Sequence, residues 1–163
     1  MNQEIMPRLR PVHEPDDLPL LAEIYCQSRD YEMAKIPHWT EEDKRRFLLQ
    51  QFEVQHKYYR AYLDGTRFQV VEDRNGEPLG RLYLRPLEDQ IRVVDIALLA
   101  HRRGKGVGSR LMRAIMEDAA EEDKPVTIHV ERENPALSFY RRLGFRKIAE
   151  EGVYYLMEWR PRK

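Results

Sequence analysis

The sequence predicts an α/β (α+β) fold in the order β-α-α-β-β-β-α-β-α-β-β, with about seven strands, and three observations carry that prediction. A strand-like run, Val93-Val94-Asp95-Ile96-Ala97-Leu98-Leu99, leads through Arg103-Gly104-Lys105-Gly106-Val107-Gly108-Ser109 into a segment of helical periodicity. There Leu111, Met112, Ile115, Met116 and Ala119 recur at helical spacing. A second strand-to-helix unit runs from residues 126–130 to 134–143. Third, Asp73-Arg74-Asn75-Gly76 separates two short β-prone runs, 68–71 and 79–84, a hairpin signal.

The remaining elements follow in order. A short strand is expected at 8–12. Next comes a helix over 16–29 that places Leu20, Leu21, Ile24, Tyr25 and Ser28 on one face. Ile36-Pro37-His38-Trp39 is a break. Thr40 caps a long helix reaching residue 62, with Asp43 placed for a weak capping box. After the hairpin, a turn at 86–89 enters the strand at 91–99. Asn134 suits an N-cap, Pro135 the first helical turn and Gly144 a left-handed stop. Ala136, Phe139, Tyr140 and Leu143 fall at i, i+3, i+4, i+7, so one face packs inward. Phe139 and Leu143 read as core, whereas a phenol at Tyr140 needs a polar partner or a cleft. Two strands near 147–150 and 154–159 complete the order.

The chain has 163 residues, 42% hydrophobic and 34% charged, which fits one domain over 1–163 with a substantial core. Lysines plus arginines equal aspartates plus glutamates, so the net charge is zero and a general nucleic-acid binder is not expected. The single cysteine, Cys26, excludes an internal disulfide and fits a reducing compartment, and its helical setting reads as buried and inert. No apolar run approaches the ~18 residues of a membrane span. The first ten residues lack the apolar core of a signal peptide. A cytoplasmic protein with no membrane or nucleic-acid partner is the expectation, and a homodimer is left open.

The glycine segment carries the most functional information. Three glycines between a strand and a helix let backbone approach a ligand and aim free amides at it. Arg102, Arg103, Lys105, Arg110 and Arg113 crowd the helix start, while Glu117, Asp118, Glu121, Glu122 and Asp123 crowd its end. That is the reverse of what the helix dipole favours. A phosphate or pyrophosphate bound at the N-terminus removes the conflict. A nucleotide P-loop is excluded because Gly106 follows Lys105, and a dinucleotide fingerprint because the glycines alternate as G-x-G-x-G.

What does match is R-x-x-G-x-G, by Arg103, Gly106 and Gly108, a signature of the GNAT N-acetyltransferases. A second stretch, Val130-Glu131-Arg132-Glu133-Asn134-Pro135-Ala136-Leu137-Ser138-Phe139-Tyr140-Arg141-Arg142-Leu143-Gly144-Phe145, resembles that family's V-x-x-x-N-x-x-A/L-x-x-[FY]-Y-x-x-x-G-F. Two motifs in the family's order identify the chain as resembling a GNAT member across its whole element order, though the motifs themselves cover only about a third of it. The resemblance implies a mixed, mostly antiparallel sheet. The stretch 50–62 is similar to a bacterial subset of the family and names no substrate.

The resemblance implies acetyl-CoA as acyl donor and no metal. Arg103, Gly104, Lys105, Gly106, Val107, Gly108 and Ser109 would receive the pyrophosphate, and Ile96, Ala97 and Leu98 would pair their main chain with the pantetheine. Asn134 would touch the pantetheine arm, with Leu137 and Phe139 walling the thiol end. Tyr140 takes the place of the general acid that protonates the departing thiolate. Acetyl passes directly to an amine, so Cys26 has no role. The amine's proton needs a base or a water relay. His129, where some N-terminal acetyltransferases carry Glu, is the first candidate, and Asp95 and Glu131 are weaker ones. The acceptor is expected between the first two helices and the hairpin strands. Its wall would come from Tyr31, Glu32, His38, Trp39, His56 and Tyr59, and the acids Glu88 and Asp89 carry no assignment.

The leading reading is therefore acetyl transfer to a primary amine of a small molecule or a peptide N-terminus. Two others stand beside it: the same fold using another acyl group or acceptor, and a non-catalytic acyl-CoA-binding or regulatory module. Tyr140 favours an enzyme, since a pure binder has no use for an acid at the thiol.

Overall fold

Seven strands form one sheet in the computed structural model, which describes residues 7–162. The elements in chain order are β1 (Arg8–Pro11), α1 (Leu18–Ser28), α2 (Asp30–Met33), α3 (Glu41–Tyr62), β2 (Arg67–Glu72), β3 (Pro78–Pro86) and β4 (Ile91–Leu98). Then come α4 (Val107–Glu121), β5 (Val126–Glu131), α5 (Leu137–Arg142), β6 (Arg146–Glu151) and β7 (Tyr154–Trp159). The sheet order is β1-β2-β3-β4-β5-β7-β6, and only β4–β5 is parallel. The expected order and the mixed, mostly antiparallel sheet are both present. The ends of the 1–163 span, residues 1–6 and 163, lie outside the described residues.

Alternation along β3 divides the molecule into two layers. Leu82 joins Val93, Met112, Ile115 and Ile128 on the α4 side. Tyr83 joins Leu21, Tyr25, Leu48 and Phe52 on the side covered by α1 and α3. Each such fully buried side chain contributes roughly 1.5–3 kcal/mol relative to exposure. Cys26 is buried and free, as its helical setting predicted. No helix among the described residues is long and apolar enough to cross a membrane.

Local signals set most boundaries. The Thr40 hydroxyl accepts from the Asp43 amide at 3.1 Å, and Glu41, Glu42 and Asp43 fill the first turn, where the helix dipole favours them. Two readings need correction. The one-turn helix α2 is absent from the predicted order, because its four residues are too few for periodicity to show. The α5 helix begins at Leu137 rather than beside Asn134. The Asn134 side chain instead accepts from the Ala136 amide at 2.9 Å, closing an Asx turn just before the helix. Pro135 thus sits in that turn and not in the helix. Gly144 does take the left-handed stop, at φ +100°.

Two irregularities place the site. Strands β4 and β5 pair only from Ile91↔Val126 to Val93↔Ile128, although β4 continues to Leu98 and β5 to Glu131. At the same level Tyr83 faces Asp95 while Leu84 faces Val93, so Val94 is an extra residue that bulges β4. The parallel ladder ends there, and a wedge opens between the two strands.

Candidate active site

On one side of the wedge the walls are mostly backbone. The loop after β4 turns through Gly104 and Gly106, at φ +76° and +82°, a left-handed conformation that favours glycine. Gly108 has no such backbone demand: a β-carbon there would meet the Phe139 ring at 3.6 Å, an ordinary contact. Gly106 caps α4 without a side-chain bond, and the first return bond runs from the Arg110 amide to the Gly106 carbonyl at 3.1 Å. The amides of Val107, Gly108 and Ser109 therefore lack intrahelical acceptors.

These residues border a cavity of about 670 Å³ that Ile96, Ala97, Leu98, Arg103, Asn134, Phe139 and Tyr140 also line. Arg103 is tied down: it donates to the Leu98 carbonyl at 3.2 Å and to the Gln27 carbonyl at 3.0 Å, fastening the loop to α1. Lys105 is exposed at the loop tip and lines neither this cavity nor the next. Leu137 is buried in the core and lines neither. On its β3 edge Ile96 pairs with Leu82, Ala97 with Arg81 and Leu98 with Gly80, while the β5 edge has lost its ladder. An extended chain can hydrogen-bond to that unpaired edge. Gly80 permits the arrangement, since a β-carbon there would sit 2.1 Å from the Ala97 carbonyl oxygen.

The other side of the wedge is charged. A second cavity, of about 540 Å³, shares Ser28, Ile96, Ala97, Asn134 and Tyr140 with the first. Its own lining includes four arginines, Arg29, Arg81, Arg85 and Arg92, and the carboxylates of Asp95, Glu131 and Glu151. Sequence reasoning singles out none of those arginines. The nearest signal is Arg81, a charge inside the apolar run of β3.

Tyr140 stands at the junction. Its ring packs edge-on against Phe139 and Phe145 at 5.2 and 5.9 Å, and the residue is 5% exposed. Burial, followed by the Asp95 charge, pushes its phenol well above the usual range. The hydroxyl is a neutral donor at any ordinary pH.

The three base candidates differ in their bonding. Asp95 is the counter-ion of Arg81, which is 1% exposed and also donates to Gln55 at 3.1 Å. Burial is the largest influence and opposes the Arg81 charge, but Asp95 together with Tyr83 and Tyr59 outweighs it, so the guanidinium stays ionised. That carboxylate is committed to structure. His129 has both ring nitrogens engaged: Nε2 lies 2.8 Å from Glu151 and Nδ1 lies 3.2 Å from Arg92. A guanidinium only donates, so Nδ1 accepts and Nε2 carries the hydrogen directed at Glu151. Taking up a proton would cost His129 its Arg92 contact.

Glu131 is bonded differently. It accepts from Arg29 at 3.0 Å and lies 3.0 Å from the Tyr31 hydroxyl, which is also 3.1 Å from Glu32. One hydroxyl has one hydrogen, so it satisfies only one of these carboxylates. The other contact needs a carboxyl proton. Burial, then the bond to Glu131, raises the Glu32 carboxyl above its ordinary range. Two carboxylates thus share one guanidinium and one hydroxyl hydrogen at the cavity wall, and a proton taken up by the pair would complete the second contact.

Of the expected acceptor wall, Tyr59 lines the charged cavity and Tyr31 the backbone-walled one, while Glu32 reaches the site through Tyr31 and Arg29. Trp39 does not take part. It packs edge-on against Phe47 at 5.6 Å and borders a separate surface depression with Asp43, Arg46 and Gln50. His56 is paired with Glu14 and stacked on Phe52, and His38, Glu88 and Asp89 are exposed. An aromatic run around the break gives no direction to these side chains, and α3 turns them elsewhere.

The chain is similar to known proteins in both sequence and fold. A family model described as an acetyltransferase (GNAT) domain matches residues 64–147, more than half of the chain. PaiA N-acetyltransferase from Thermoplasma acidophilum, solved in complex with coenzyme A, superposes with a TM-score of 0.70 at 18% identity, covering 96% of this chain and 99% of that one. An acetyltransferase from Thermus thermophilus gives 0.65 at 24% identity, covering 96% and 98%. The ribosomal-protein-S18-alanine N-acetyltransferase from Escherichia coli gives 0.63 at 15%, covering 95% and 94%.

Proposed function

The chain belongs to the GNAT acetyltransferase family, and from that premise we propose that it transfers acetyl from acetyl-CoA directly to the primary amine of a small molecule held in the charged cavity. One observation carries the reading: Tyr140 lines both cavities, so the donor's thiol end and the acceptor's amine meet at its hydroxyl. A volume of about 540 Å³ lies within the usual range for small-molecule sites.

The donor fits the backbone-walled side. The amides of Val107, Gly108 and Ser109 face the pyrophosphate, and the free edge of Ile96, Ala97 and Leu98 takes the pantetheine. Asn134 and Phe139 border the arm. Arg103 supports the loop through carbonyls, so the phosphates are met mainly by amides and the helix dipole.

In the chemical step the neutral amine attacks the thioester carbonyl. A nitrogen–carbon bond forms, the carbon–sulfur bond breaks, and the thiolate leaves. The Tyr140 hydroxyl donates to the sulfur as its charge develops. A thiol is a stronger acid than this buried phenol, so the donor acts mainly as a positioned hydrogen bond, and solvent completes the proton balance. The amine's proton passes to the Glu32–Glu131 pair, where it relieves the repulsion of two carboxylates. His129 is a positioning residue that fixes Arg92 and Glu151.

Release of CoA, followed with a free-thiol reagent over a panel of small amines and peptides, tests the reading. Turnover with small amines is expected. Turnover confined to peptide N-termini, or none with any amine, overturns it.

A further inference from the structure

Within the charged cavity the four arginines are not alike. Arg29 pairs with Glu32 and Glu131, and Arg81 with Asp95. Arg85 and Arg92 have neutral acceptors alone among the described residues. Arg85 donates to the Asp64 carbonyl at 3.0 Å. Arg92 donates to Thr127 at 2.7 Å, to Gln90 at 3.2 Å and to His129 at 3.2 Å.

These two guanidiniums are also direct cross-strand partners on β3 and β4. Like charges opposite each other in an antiparallel pair repel. Burial lowers the Arg92 guanidinium from its ordinary range; the Glu151 charge opposes that, and the smaller repulsion from Arg85 adds to it. Glu151 reaches Arg92 only through the neutral His129, and Asp89 is exposed on the turn; among the described residues neither acid forms an ion pair with Arg85 or Arg92. A half-buried pair of fixed cations with three neutral side-chain acceptors already in place is organised for one missing partner, an oxyanion.

We propose that the acceptor amine carries an oxyanion, and that Arg85 and Arg92 bind it and set the enzyme's specificity. This rests on the acetyl-transfer reading above and names its substrate class. Arg92 lies four residues before Ile96 on β4, and because Val94 bulges that strand the span equals three residues of β3, from Leu82 to Arg85, about 10 Å. Amine and oxyanion are therefore separated by a chain of several bonds. An ω-amino acid fits that spacing.

The test compares kcat/KM, by CoA release, for ω-amino carboxylates of increasing chain length with their primary amides. The matching ω-amino phosphonates separate a carboxylate site from a phosphate site. The oxyanion form is expected to be preferred at least about tenfold at the best length. Arg85→Gln and Arg92→Gln should each collapse the ratio toward one by raising KM for the anion. Arg85→Gln is the cleaner of the two, because Arg85 does not touch His129. Equal use of anion and amide, or a preference that survives both substitutions, overturns this proposal while leaving acetyl transfer intact. No CoA release with any compound of either series overturns both.

Discussion

The two halves of the wedge are built from different material. On the proposed donor side the groups offered to a ligand are main-chain amides and an unpaired strand edge, contributed by β4, the glycine loop and the start of α4. On the proposed acceptor side they are charged side chains from the α1–α2 junction, β3, β4, β5 and β6, linked pairwise across the cavity. A donor common to a whole family can be held by backbone, whose geometry depends on few residue types. A particular acceptor is distinguished by side chains, and those pair only after the sheet has formed.

Substitutions can break that contrast, the largest effect first. Asp95→Asn strands the Arg81 guanidinium without its counter-ion and should lower stability by about 3–5 kcal/mol. Urea denaturation reads this directly, and a loss under about 1 kcal/mol would mean the acceptor half is not held by charge pairing.

Tyr140→Phe tests the junction. It keeps the packing against Phe139 and Phe145 and should slow turnover by about 10²-fold with little change in CoA affinity. Full activity at saturating acceptor would reduce Tyr140 to a core residue.

Gly106→Asp puts a negative side chain at the head of α4, and calorimetry should show CoA binding weakened by about tenfold. Circular dichroism should be unchanged. Unaltered affinity would remove the pyrophosphate from this loop.

A pH pair sharpens the acceptor side. The raised Glu32 carboxyl is neutral to higher pH than an ordinary one. As pH falls, protonation of the Glu32–Glu131 pair should therefore depress kcat/KM, measured with a weakly basic amine that stays neutral throughout. Glu131→Gln should lower the rate and abolish that acid limb, and an unchanged profile excludes the pair as proton acceptor. The stability effect is the smallest. A carboxyl whose folded value is raised stabilises the fold at low pH and loses that contribution as pH rises. Glu32→Gln should thus raise Tm at neutral pH, with the gain vanishing in acid. A gain that persists in acid would locate the effect in packing.

How much can be read before folding follows the same division. Gly104 and Gly106 announce a left-handed loop because that is a local backbone demand. Thr40 and Gly144 announce helix ends for the same reason. Asn134 misplaces the helix start by two residues, since an Asx turn and an N-cap use the same side-chain oxygen. Trp39 and His56 suit the acceptor wall by residue type, but the direction of a side chain on or beside α3 depends on what the helix packs against. Gly80 gives no signal, because the crowding it relieves comes from Ala97 on the next strand.

The sequence by itself determined the order of the strands and longer helices and the left-handed glycine loop, features set largely by interactions within about ten residues along the chain. Only the tertiary structure decided the acceptor site. Arg92 meets His129 across 37 positions of sequence, and Arg29 meets Glu131 across 102. Charges so far apart in the chain acquire a common partner only when a sheet brings them within bonding distance.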